Sequence, residues 1–303
     1  MPEYPEIALY LHALEPRVLG RTLVRLRITS PVLLRTVEPP PAAFAGRTLT
    51  GLERIGKRIV FGFDGDLFAV LHLMIAGRLQ WKEADAAIPR KLGHAAFDFD
   101  NGTLLVTEAG TKKRAQLHLV EGRASLAAHD RGGVDPLEID AAAFATALRR
   151  ENRTLKRALT DPRILSGIGN AHSDEILLAA RLSPAQLTRN LSDEEIERLY
   201  TVTRSSLAEW RDRLIAEAGN TFPARVTAFH PAMAAHGRYN QPCAQCGTPI
   251  QRVVYAGNET NYCPQCQTSG RLLADRAFSR LLREDWPRTL EELEQHFGDR
   301  SAG

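Results

Sequence analysis

The chain has 303 residues, 44% hydrophobic and 25% charged, with a formal net charge of +3. Such values are ordinary for a globular protein of two domains with a small appendage, and the mild positive charge is compatible with nucleic acid without pointing to it. No apolar run is long enough to cross a bilayer and no secretory signal is present, which excludes a membrane protein and predicts a cytoplasmic one. The four Cys all fall between 243 and 266, which excludes a scattered disulfide framework.

The chain opens Met1-Pro2-Glu3-Tyr4-Pro5-Glu6. Trimming of Met1 before the small Pro2 leaves a secondary amine at the terminus. An α-amino group titrates at roughly 7.7–8.0, far below a lysine at about 10.4, so at neutral pH a useful fraction can attack an aldehyde-like carbon and form a Schiff base. Glu3 and Glu6 set two carboxylates beside it for acid–base work. The same residues also suit the start of an ordinary helix, with its dipole favouring acidic groups.

Residues 7–20 carry Ile7, Leu9, Leu11, Leu14 and Val18 in a mixed helical pattern stopped by Gly20. Short strands are expected at Thr22–Ile28, Thr48–Arg54, Arg58–Phe63, Leu67–Leu73, His94–Asp98 and Thr103–Thr107, with turns at 64–66 and at Asn101-Gly102. They predict a β-sandwich or barrel with the N-terminal helix packed on it. Basic clusters lie at Arg54-Ile55-Gly56-Lys57-Arg58 and Lys112-Lys113-Arg114, and each alone suits a solvated surface. His72-Leu73-Met74-Ile75-Ala76-Gly77-Arg78 ends a strand and turns at Gly77.

Beyond residues 130–139 the pattern becomes helical: Phe144–Arg150, Leu155–Leu159, Ser173–Ala180 and Asp193–Glu217, the last opened by a capping box at Ser192 and Glu195. Gly167-Ile168-Gly169-Asn170 precedes a helix. Small residues there let backbone approach a ligand, and free N–H groups suit a phosphate, although glycine turns between helices are common. Cys243-x-x-Cys246 and Cys263-x-x-Cys266 flank sixteen residues that read as a hairpin, a zinc ribbon whose four thiolates close one structural Zn²⁺ site. A redox Cys pair is the alternative. Ser279–Leu282 and Leu290–Phe297 are amphipathic stretches of a polar tail, broken by Asp285-Trp286-Pro287.

Taken in order, these pieces resemble the formamidopyrimidine-DNA glycosylase and endonuclease VIII family over about residues 1–267. Pro-Glu-x-Pro-Glu opens the chain; Arg54-Ile-Gly-Lys57 is similar to the family's loop lysine. His72-Leu73-Met74 with Gly77 is similar to its His-Leu-x-Met-x-Gly turn. Lys156, Gly167-Ile168-Gly169-Asn170 and Asp174-Glu175 are similar to its helix–two-turn–helix. His236-Gly237-Arg238 and the Cys pairs are similar to its ribbon. The resemblance implies an α+β fold: a catalytic β-sandwich with its long N-terminal helix (1–130), a helical DNA-binding domain (131–235), a zinc ribbon (236–268) and a partly helical extension (269–303). It implies base excision from duplex DNA carrying damaged bases or abasic sites, by a monomer associated with the nucleoid, with the base flipped out of the stack. Pro2 attacks C1′ and Glu3 protonates the sugar ring oxygen, with Glu6 and Lys57 in the catalytic group; β- and δ-elimination follow. Lys57, His72, Lys156, Gly169, Asn170, Arg238 and Asn258 contact DNA, and Met74 fills the gap in the stack.

Three features depart from the family. The loop that normally supplies an Arg and an aromatic beside the Met reads Glu108-Ala-Gly-Thr-Lys-Lys-Arg114. Asn258 stands where the ribbon hairpin carries an Arg, unless Arg252 substitutes. Residues 219–235 lack a recognisable base-capping loop. These departures leave open a binder of abasic or distorted DNA with little or no catalysis, whereas Pro2 and Glu3 favour the enzyme. A protein-interaction module built on the ribbon explains only the Cys pairs.

Overall fold

The computed structural model describes residues 1–223, 226–227, 229–255, 258–274 and 287–298. Two compact units are formed: Met1–Gly132 with Leu207–Ala228, and Gly133–Ser206 with Phe229–Gly303.

In the first unit, helix α1 (Tyr4–Val18) starts three residues earlier than its apolar pattern suggests, because Pro5 sits in the first turn, where a missing N–H costs nothing, and Glu6 receives the Glu3 backbone N–H at 2.7 Å. Ile7, Tyr10, Leu14 and Val18 are fully buried on one face, each contributing about 1.5–3 kcal/mol. Gly20, at φ +73°, releases the chain. Eight strands follow: β1 (Thr22–Ile28), β2 (Arg47–Ile55), β3 (Arg58–Phe63), β4 (Leu67–His72), β5 (Gly77–Lys82), β6 (Gly93–Phe99), β7 (Gly102–Glu108) and β8 (Gln116–Glu121). Their hydrogen-bonded order is β5-β7-β6-β1-β2-β3-β4-β8, with β1 and β2 joined through Thr22↔Thr48 and Leu23↔Arg47. The sheet folds over at that join: Phe61 of β3 stacks on Phe97 of β6 with ring centroids 5.2 Å apart, although neither strand neighbours the other. That is the expected sandwich, with one apolar core shared by both layers and α1.

Two strands escaped the sequence pattern. β5 begins at Gly77, where only a turn was expected, and β8 carries alternating buried and half-buried residues with no turn signal before it. The helical stretch also divides differently from the expected 131–235 domain. Residues 207–228 belong to the first unit, since Leu214, Ile215, Ala218, Phe222 and Val226 join the sandwich core.

The second unit contains α2 (Ala141–Arg149), α3 (Leu155–Thr160), α4 (Asn170–Ala179) and the first part of α5 (Asp193–Ala218). The capping box of α5 is present, with Ser192 N–H to Glu195 at 3.0 Å and Glu195 N–H to Ser192 Oγ at 3.1 Å. Strands β9 (Gln251–Tyr255) and β10 (Asn258–Tyr262) form the ribbon hairpin, followed by α6 (Pro264–Thr268) and α7 (Leu290–Gly298). Ala256, Ser279–Leu282, Asp285 and Trp286 lie outside the described residues.

Candidate functional site

The first unit gathers the N-terminal residues around a buried pair of carboxylates. Pro2 is buried, and Glu3 and Glu6 are 1% and 2% exposed. Glu6 is occupied in holding the Glu3 backbone, so its position is that of a structural cap. Burial holds the chain's terminal amine below its ordinary value. Glu3 and Glu6 oppose that effect, and Arg78 and Lys57 reinforce it. Removal of Met1 transfers the amine to Pro2, one residue along, among the same charges.

Lys57 is placed by hairpin geometry. Ile55 pairs with Arg58, leaving Gly56-Lys57 as a two-residue turn, with Gly56 at φ +60°. The turn is held to α1 by Arg54, which donates to Gly56 O at 2.9 Å and lies over the Tyr4 ring at 4.8 Å. Burial lowers the Lys57 ammonium, with Glu3 opposing and Arg58 assisting. Pro2, Glu3, Glu6 and Lys57 therefore share one electrostatic neighbourhood. Arg78, which no sequence motif singles out, joins them; its position just after Gly77 was the available signal.

His72 ends β4 opposite Arg58. Its Nδ1 accepts the Met74 N–H at 3.0 Å, which puts the ring proton on Nε2 and leaves that nitrogen as a donor. Burial, then Arg58, Lys57, Arg131 and His118, push its pKa down to about 3, so the ring is neutral. Gly77 closes the turn tightly: a Cβ there lies 2.2 Å from Leu73 O. Met74 is half-buried and sits at φ +53°, a left-handed conformation that suits glycine. Ile75 is the residue that faces outward, 54% exposed. Counting from His72 to Gly77, the Met of His-Leu-x-Met-x-Gly falls on Ile75, and Met74 occupies the first variable position. Ile75 therefore stands beside Met74 as a candidate for the residue expected to fill the stack. The neighbouring loop is organised by buried Glu108, which accepts from Arg114 N–H at 3.0 Å and Ala115 N–H at 3.3 Å. A Cβ on its Gly110 is 3.3 Å from Ala76 Cβ, so the loop lies against the Ile75 turn. Lys112 and Arg114 are exposed on it.

The second unit has a different hub, which the Asp174-Glu175 motif marks without revealing its role. Asp174 is fully buried in α4. One carboxylate oxygen takes the Lys156 ammonium at 2.5 Å, and the other meets His236 Nδ1 at 2.8 Å and Asn261 Nδ2 at 3.4 Å. Lys156 also donates to Asn170 O at 2.6 Å. Adjacent Glu175 accepts the N–H groups of Ala234, Ala235 and His236 at 2.8–2.9 Å. Gly169 is the buried N-cap of α4, and Asn170, its first residue, donates to Glu259 O at 2.7 Å. One helix thus ties Lys156 and the ribbon together. Arg238 is half-buried and Asn258 exposed. Arg252 pairs with Glu259 at 3.3 Å and covers the Tyr239 ring at 4.2 Å.

The four Cys Sγ atoms all lie within 4.8 Å of one another, with Cys246–Cys263 at 3.5 Å and Cys243–Cys266 at 4.0 Å. Tetrahedral Zn²⁺ with bonds of about 2.3 Å requires S···S separations of about 3.8 Å, so the cluster fits one structural Zn²⁺. Leu178, Ala235 and Ile250 pack around it.

Comparison with known proteins agrees with this layout. The family model for the formamidopyrimidine-DNA glycosylase N-terminal domain matches residues 1–115, that for the H2TH domain of the same enzyme residues 133–210, and that for the zinc finger found in FPG and IleRS residues 240–268. The formamidopyrimidine-DNA glycosylase of Geobacillus kaustophilus is 33% identical over 283 residues, covering 88% of this chain and 100% of the relative. That of Thermus thermophilus is 32% identical over 285 residues, covering 89% and 100%. Among solved structures, Lactococcus lactis FPG bound to Fapy-dG DNA superposes with a TM-score of 0.77 at 25% identity, covering 88% and 100%. With three successive family models in order and relatives matched along their full length, the chain belongs to the formamidopyrimidine-DNA glycosylase family.

Proposed function

We propose that the chain is a base-excision repair DNA glycosylase with AP lyase activity, acting on duplex DNA that carries damaged bases or abasic sites. The observation that carries this reading is the buried Glu3 carboxylate beside the chain's terminal amine, within the field of Lys57 and Arg78. Glu3 also caps α1, but a surface that only binds DNA has no need of an acid set beside an amine whose neutral form burial favours. Pro2 nitrogen attacks C1′ of the flipped nucleotide, and the base departs with the electrons of its glycosidic bond and takes up the proton that the amine loses. Glu3 gives its proton to the ring oxygen, which opens the sugar and leaves the Schiff base. β-Elimination, then δ-elimination, cuts the strand on both sides. Glu6 positions Glu3 through its backbone.

Lys57, His72 Nε2–H, Lys156 and the N-terminus of α4 at Gly169-Asn170 hold phosphates, which fixes position without reading sequence. Arg238 and Asn258 belong to the same reading on the ribbon side. Ile75 is the apolar wedge that fills the stack, and Met74 shapes the turn presenting it. Exposed Lys112 and Arg114 are the cations available beside it. The same reading makes the protein a cytoplasmic, nucleoid-associated monomer. No described helix is long and apolar enough to cross a membrane.

The test is borohydride trapping of the Met-processed protein on a duplex with one abasic site. A covalent adduct mapping to Pro2, lost in Pro2→Gly with DNA affinity retained, is expected. Unchanged trapping in the variant removes Pro2 as nucleophile, and no adduct in the wild type removes the lyase.

A further inference from the structure

The outer face of the second strand layer gathers basic side chains, and apart from His72 the catalytic reading does not use them. Arg58 on β3, Gln116 and His118 on β8 and His72 on β4 share that face with Val60 and Val70, opposite the residues that enter the sandwich core. A segment beside β8 adds Arg35: Leu117 N–H donates to Leu33 O at 2.8 Å, and Arg35 N–H donates to Leu117 O at 2.9 Å. The 3-10 turn Arg123–His129 covers the apolar part of this face with Leu126 and ends at His129, two residues before Arg131. His118 and His129 meet edge to face, with ring centroids 4.7 Å apart and planes at 64°.

These groups feel one another. Burial lowers Arg58, and Arg131 lowers it further; burial, then His129, Arg58 and Arg35, bring His118 down to about 4. Among the described residues, Arg35, Arg58 and Arg131 have no carboxylate at ion-pair distance. Asp130 acts on Arg58 only at longer range, and its Oδ1 accepts the Gly132 N–H at 2.8 Å. Three guanidiniums gathered with no carboxylate at ion-pair distance repel one another, the two neutral imidazoles beside them offer further hydrogen-bonding groups, and the arrangement is relieved by an anion from outside.

We propose that Arg35, Arg58, His118, His129 and Arg131 form a track for the phosphates of duplex DNA lying beyond the lesion. The track is continuous with the lesion-side contacts, because Arg58 follows Lys57 in the chain and pairs with His72 across the sheet. Its guanidiniums and imidazoles come from a loop, two strands and a turn, a spread that suits a polyanion better than a single small ion. The proposal rests on the glycosylase reading above.

The test is a salt titration of binding to a duplex of about 25 base pairs carrying a central reduced abasic site, for the wild type, R35A/R131A and R35Q/R131Q. Arg35 and Arg131 are exposed, and thermal melts check that the variants fold. Removing one cation that neutralises a phosphate lowers the slope of log K against log salt by about 0.9, so the double variants should fall by about 2. Shortening the duplex on one side of the lesion should weaken the wild type and leave the variants insensitive to that side. Equal slopes and equal length dependence in all three proteins overturn the track while the glycosylase reading stands. Protection of the wild type from melting by inorganic phosphate alone, with no duplex-length effect, also overturns it in favour of a small-anion site. A wild type that fails to bind lesion DNA removes both proposals.

Discussion

Replacing His72 with asparagine should reverse the order of stability between variant and wild type as the pH falls. The histidine is neutral in the folded protein because burial, Arg58 and Lys57 push its pKa down to about 3, against an ordinary value of 6.5. Between those limits the unfolded chain binds the proton and the folded protein does not. The stabilisation is complete above pH 6.5 and is lost as the pH falls towards 3, by about 1.4 kcal/mol per pH unit. At pH 4.5 the loss from this group is about 2.7 kcal/mol. The substituted side chain keeps an oxygen near the Nδ1 position to accept the Met74 N–H, but it does not titrate. At pH 7 the substitution should cost about 1–2 kcal/mol of ring packing, and at pH 4.5 the variant should be the more stable protein by about 1 kcal/mol. Urea melts at pH 7, 5.5 and 4.5 measure the difference. The carboxylates and the other histidines titrate in both proteins and largely cancel. A wild-type minus variant difference that stays constant across the three pH values refutes the assignment of a buried neutral His72.

Cys246→Ser removes one thiolate of the four, and bound zinc should fall from one per chain towards none, with DNA affinity falling alongside; an unchanged zinc content by metal analysis contradicts the four-thiolate site. Asn258→Arg places a guanidinium on an exposed position at the start of β10. The slope of log K against log salt should steepen by about 0.9 if that end of the hairpin reaches a phosphate, and an unaltered slope shows that it does not.

Much of the sandwich was legible because its strands alternate or run apolar between strong turns. Thr22–Ile28 and Arg58–Phe63 match their expected bounds, and Asn101-Gly102 marks the β6–β7 hairpin. The pattern failed where tertiary pairing, with no local signal, makes the element. β8 is a strand because β4 pairs along its full length and the 33–36 segment lines its other side. Residues 207–228 look like the end of one amphipathic helix and its loop, and nothing local says that Phe222 lies against Tyr10 and beneath Arg17. The proposed site residues divide in the same way. Pro2, Glu3, Lys57 and the Cys pairs sit in motifs whose spacing is itself the signal. The proposed role of Ile75 is masked by the adjacent Met74, since the methionine attracts attention while its left-handed backbone is invisible in the sequence. Arg78 and the hub role of Asp174 depend on which charges fold against which, so composition carries no trace of them.

Acidic residues near the functional groups of this chain divide by what their engagement holds in place. Glu6 holds a backbone N–H, Glu108 holds two, and Glu175 holds three. Asp174 is committed to Lys156 and His236. Those contacts fix backbone turns and aim cations, and a carboxylate so engaged cannot give its proton to substrate without losing the geometry it maintains. Glu3 differs. Its side chain meets the Glu6 N–H in the capping box of α1, yet its own backbone is held separately by the Glu6 carboxylate. Its place at the helix start therefore survives a change in what its side chain does. A general acid must change protonation during the reaction and return to its place. An acid whose backbone is anchored by a neighbour meets that requirement, so under the proposed mechanism Glu3 suits the role better than Glu6, although both are buried and both act on the amine.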